Sequence, residues 1–94
     1  KLLDRVSAVG RDLISELAVI PGVSEVRGAG LLIGIDFLQP IAKKVATQCQ
    51  SNGLLVNGNS ETTIRIAPPL NVTDREISQF LKIFRKSVAE VEQP

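Results

Sequence analysis

Histidine is absent from the 94 residues, cysteine occurs once, and methionine, tryptophan and tyrosine do not occur at all. Without histidine, the chain cannot assemble a Ser-His-Asp triad, a Cys-His pair or a histidine-ligated zinc from its own residues. The single Cys49 excludes an internal disulfide and any cysteine-based metal cluster. Three phenylalanines are too few for a base-stacking platform. Eleven Lys and Arg are interleaved with ten Asp and Glu, so there is no concentrated basic patch for nucleic acid. The longest apolar stretch, "LLIGIDFL", is interrupted by Gly34 and Asp36 and is far too short to span a bilayer. The opening residues lack the layout of a signal peptide. One unpaired thiol suits a reducing compartment. With no methionine, and with "KLLDRV" already in helical stride, the chain is expected to be a piece of a longer protein.

What remains is material for one small domain, residues 1–94, with an ordinary 44% of hydrophobic residues. Leu2, Leu3, Val6, Val9, Leu13, Ile14 and Leu17 recur at three- and four-residue intervals, the stripe of an amphipathic helix ending near Pro21-Gly22. "EVR" and "LLIGIDF" predict two strands joined by a hairpin loop at Gly28-Ala29-Gly30. Leu31, Ile33, Ile35 and Phe37 share one face of the second, with Leu32, Gly34 and Asp36 on the other. Pro40 suits the first turn of a second helix carrying Ile41, Ala42, Val45, Ala46 and Cys49, stopped at Gly53. "LLVN" and "TTIRIA" predict two more strands. "TDRE" is a capping box, Thr73 with Glu76, for a last helix lined by Ile77, Phe80, Leu81, Phe84, Val88 and Val91. The expected fold is α+β: a small antiparallel or mixed sheet of about four strands with helices packed on one face. If the "LLIGIDF" and "LLVN" strands are parallel, the helix between them makes a right-handed crossover.

Few residues invite chemistry. The glycines of "RGAGLLIG" follow a GxGxxxG spacing with β-type residues after Gly30, which reads as a turn rather than a dinucleotide loop. Lys43 and Lys44 lie off the apolar stripe of their helix, solvated, whereas a lysine that carries a cofactor covalently must be desolvated. Cys49 lies on that stripe and reads as a buried, inert thiol. Nothing pairs Glu25 with Asp36 as acid and base. Arg65 stands apart. It interrupts a strand whose Ile64 and Ile66 face the other way, and Pro68-Pro69 ends that strand rigidly. Spacing leaves two readings open, a solvated or structural charge and a carboxylate receptor whose rigid fork binds two oxygens at once.

"VRGAGLLIGIDF", "GLLVN" and "IRIAPPLNVTDREI", in that order, resemble the C-terminal small domain of class III pyridoxal-phosphate aminotransferases across nearly the whole chain. Within that family the blocks look most like the branch acting on N-acetylornithine in arginine biosynthesis, with ornithine and 4-aminobutyrate as alternative donors. The resemblance implies a cytoplasmic homodimer whose subunits pair this small domain with a large one. The large domain would bind pyridoxal 5'-phosphate through a lysine, so this chain holds no cofactor-binding, metal-binding or catalytic residue and is expected to be inactive by itself. It also implies that the arginine of the R-x-x-P-P-L block, Arg65 here, binds the α-carboxylate of amino-acid and 2-oxo-acid substrates. Gly28 and Gly30 fit the family's turn, a structural role. Outside this family, the same residues would fit a stand-alone amino-acid-binding α+β module.

Overall fold

The computed structural model describes residues 2–92. Helix α1 spans Leu2–Ala18, strands β1 and β2 span Val23–Ala29 and Leu32–Phe37, and helix α2 spans Ala42–Ser51. Strands β3 (Asn57–Gly58) and β4 (Thr63–Ile66) then lead to helix α3, Asp74–Glu92. The sheet order is β1-β2-β4-β3, and every neighbouring pair is antiparallel. Strands β2 and β3 therefore run in the same direction but are not neighbours, because β4 is inserted between them. The expected crossover becomes a split one, with an antiparallel strand in its middle.

The core follows from period-two alternation. Leu31, Ile33, Ile35 and Phe37 are buried, together with Ile64 and Ile66, while Leu32 and Arg65 between them are exposed. One face of the sheet is thus covered and the other open. Helix α1 packs on β1 and β2, α2 on β3 and β4, and α3 closes against both helices. Val9, Leu13, Leu17, Val45, Cys49, Phe84 and Val88 are among the helix residues that join them in the core. The Leu2 and Leu3 side chains, expected on the α1 stripe, lie outside the described residues.

Three local boundaries differ from expectation, each for a backbone reason. The hairpin loop is Gly30-Leu31, not residues 28–30, because Gly28 and Ala29 pair with Ile33 and Leu32. Gly30 takes the left-handed conformation the turn needs (φ +61°). Pro40 does not open α2. Gln39–Ile41 forms a tight turn first, and the Ala42 amide donates to the Glu61 carbonyl at 2.9 Å, so a loop supplies what a capping side chain would. The "LLVN" strand shrinks to Asn57–Gly58, and Leu54 is drawn into the closure that follows α2. Its amide donates to the Cys49 carbonyl at 2.8 Å and that of Gly53 to Gln50 at 3.1 Å, a Schellman closure around Gly53 at φ +88°. The capping box forms as read: the Thr73 amide donates to Glu76 Oε1 at 2.8 Å, and the Glu76 amide to Thr73 Oγ1 at 3.1 Å.

Candidate functional site

Register assembles the site on the open face of the sheet. Arg27 pairs with Gly34, Gly34 with Arg65, and Arg65 with Asn57, so one row crosses all four strands. The next row sets Glu25 opposite Asp36 and Asp36 opposite Thr63. Alternation puts all of these side chains on the face that the helices leave bare.

The two arginines of the first row differ. Arg27 is ion-paired with Asp36, its Nη1 donating to Oδ2, and the other carboxylate oxygen accepts the Thr63 hydroxyl at 2.7 Å. Those hydrogen bonds, from Thr63 first and then Arg27, hold the Asp36 carboxyl below the usual aspartate range. The Arg27 guanidinium is pushed up by the same pair. Each Asp36 oxygen thus accepts one hydrogen bond, and none joins Asp36 to Glu25 among the described residues. Arg65 is exposed, and its side chain makes no hydrogen bond or ion pair among the described residues. Its donors are free for a ligand, and a locked Arg27–Asp36 pair leaves it as the uncompensated cation of the row.

Arg65 also borders a groove of about 680 Å³ where β4 runs into Pro68-Pro69. The groove is mostly apolar, lined by Leu32, Leu55 and Val56 and by Ile77 and Phe80 of α3, with Glu76 at its border. Leu55 is 83% and Leu32 60% exposed, so apolar surface lies open beside a free guanidinium. That combination fits a ligand with a carboxylate head and a carbon chain.

The other sequence candidates fall elsewhere. Lys43 and Lys44 are exposed on α2, away from this face. Cys49 is fully buried, and burial pushes its thiol up, so it stays protonated and unreactive. Among the described residues no cluster of side chains could hold a metal ion, and no helix is long and apolar enough to cross a membrane. Sequence reading singled out Arg65 and missed the partnership of Arg27, Asp36 and Thr63. The alternation in "VRG" and "IGID" puts these residues on one face, but only the hairpin register makes them neighbours.

The family profile described as aminotransferase class-III matches residues 1–88. Acetylornithine aminotransferase of Corynebacterium efficiens is 35% identical over 86 residues, which is 92% of this chain and 21% of that protein. A solved structure of N-acetylornithine aminotransferase from Stenotrophomonas maltophilia K279a superposes with a TM-score of 0.85 at 29% identity, covering 95% of this chain and 26% of that one. Ornithine aminotransferase from Toxoplasma gondii, solved with partial occupancy of PLP at its active site, superposes at 0.80 with 28% identity, over 97% of this chain and 23% of that one. The chain therefore spans about a fifth of the length of the curated relative it matches.

Proposed function

The chain belongs to the class-III aminotransferase family, and from that premise we propose that it is the C-terminal small domain of an acetylornithine aminotransferase in which Arg65 anchors the substrate α-carboxylate. The parent would move an amino group between N-acetylornithine and 2-oxoglutarate, in arginine biosynthesis, as a cytoplasmic homodimer. Similarity to an ornithine aminotransferase favours ornithine as the second candidate donor. Family membership also favours the enzyme over a stand-alone binding module.

Among the described residues no lysine has the setting the cofactor needs. The lysines on α2 are exposed, and a lysine that holds pyridoxal phosphate covalently needs a desolvated setting. The cofactor belongs to the large domain, where it supplies the amino-group chemistry when bound. The open apolar surface at Leu32 and Leu55 suits a face that meets that domain.

The observation that carries this reading is the free guanidinium of Arg65 on a strand paired on both sides. A fork held by such a strand can grip both oxygens of a carboxylate and fix the direction in which the amino or oxo carbon points. Asn57, next in the row, brings a side-chain amide to the same place. Charge-assisted hydrogen bonds contribute roughly 1.5–3 kcal/mol each. Losing the pair in Arg65→Ala should then lower kcat/KM of the full-length parent on the order of a hundredfold. Both half-reactions should suffer, since donor and acceptor each present a carboxylate. Arg65→Lys should recover only part, because a point charge does not reproduce the fork. The melting temperature should stay within a few degrees of wild type. Near-normal kinetics with a lowered melting temperature would make Arg65 a structural residue.

A further inference from the structure

We propose that Gly34 is a specificity-determining residue, its bare backbone forming the seat of the carboxylate that Arg65 binds. The inference rests on the reading of Arg65 as a carboxylate anchor and goes beyond it.

Gly34 lies between Arg27 and Arg65 in the row that crosses the sheet. Side chains directly opposed on one face stand about 4.5–5.5 Å apart at Cβ. Any side chain at position 34 would therefore stand between the Arg27 and Arg65 side chains on the open face. With glycine there, that space is open to a ligand.

Neither backbone conformation nor a tight contact demands glycine here. Gly34 is not among the glycines with positive φ, which are Gly22, Gly30 and Gly53. A Cβ added to it would meet only Arg27 Nη2, at 3.8 Å, an ordinary contact. Gly28 is different: its Cβ would lie 2.9 Å from the Leu32 carbonyl oxygen, so packing excludes a side chain there. A glycine inside a strand weakens it, and a β-branched residue would suit the pleated surface better. Retaining glycine at 34 thus leaves the strand weaker than it could be and keeps the space beside Arg65 clear.

The other wall of the seat is fixed. Arg27 is held by Asp36, and Asp36 in turn by Thr63. Arg27 therefore borders the seat as an ion-paired guanidinium, while Arg65 remains the free fork. A carboxylate over Gly34 would have the fork on one side and the locked guanidinium on the other.

The test uses the full-length parent with Gly34→Ala, Gly34→Val and Arg65→Ala. The half-reaction with 2-oxoglutarate and the melting temperature are measured for each. The rise in melting temperature produced by glutarate, an unreactive dicarboxylate, is measured alongside. Gly34→Val should raise the KM for 2-oxoglutarate about tenfold or more. It should abolish the glutarate effect while melting at or above the wild-type temperature, and Gly34→Ala should fall between. A wild-type KM in Gly34→Val beside a raised KM in Arg65→Ala overturns the seat and leaves the anchor standing. An unchanged KM in both variants removes anchor and seat together. A raised KM with a lower melting temperature also overturns the proposal, because strain in the sheet then accounts for the loss. Should Gly34→Val not fold, Gly34→Ala decides by the same comparison.

Discussion

A methyl group on Gly10 would sit 2.3 Å from the Gly30 carbonyl oxygen. The middle of α1 therefore rests on the backbone of the β1–β2 turn, and no flexible side chain there can yield. In an exposed helix interior, alanine is favoured over glycine by about 1 kcal/mol. Here the forced separation of helix and hairpin should cost more, about 1–3 kcal/mol as for other overpacked sites. Gly10→Ala is expected to lower the urea midpoint at unchanged m-value, and a raised midpoint would show that the hairpin gives way freely. A glycine inside an amphipathic stripe is a readable sign of close packing, but the sequence does not say against what. Arg65 is more legible, because Ile64 and Ile66 flank it with period two and fix which way it faces. The locking of Arg27 is invisible until the register brings Asp36 to it.

Helix α3 carries the most readable boundary in the chain, since a capping box is a purely local device whose donors and acceptors lie within four residues. Thr73→Ala should remove about 1 kcal/mol and lower the melting temperature by roughly 4–8 °C. The same helix predicts a pH dependence. Hydrogen bonds from the Thr73 backbone and hydroxyl hold Glu76 below the usual glutamate range, and Asn52 and Gln48 do the same for Glu90. Asp36 is lowered too. With folded values below the unfolded ones, the unfolded chain binds more protons in between. Stability is then fully present above the ordinary carboxylate range, about pH 4–4.5, and is lost as pH falls through the folded values. The melting temperature should be flat near neutrality and decline below about pH 4.5. Glu76→Gln, which keeps a side chain able to complete the box, should shallow that decline without shifting its onset. The elements that sequence reading placed less well, the start of α2 and the extent of β3, are those whose amides are satisfied from elsewhere. Glu61 lies far along the chain from Ala42, and the Schellman closure takes Leu54 out of the strand.

At the scale of the whole molecule, apolar periodicity was enough to read three helices over one face of a four-stranded sheet. Strand order was not readable, because β2 and β4 are separated in sequence by α2 and β3, and nothing local records that they pair. That order has a consequence for how the sheet comes apart. The strand bearing Arg65 is flanked by β2 and β3, so it has no free edge, whereas β3 is a two-residue border strand. Isotope exchange of backbone amides should separate them. Protons of Ile64 and Ile66 should leave only when the entire fold opens, at a rate set by global stability, while those of Asn57 and Gly58 escape through local fraying. Adding urea should accelerate the first class in proportion to the surface exposed on full unfolding and barely affect the second. If instead Ile64 and Ile66 exchange by a urea-insensitive route, the anchor strand detaches while the domain stays folded. Otherwise the guanidinium of Arg65 keeps its bearing for as long as the domain remains intact.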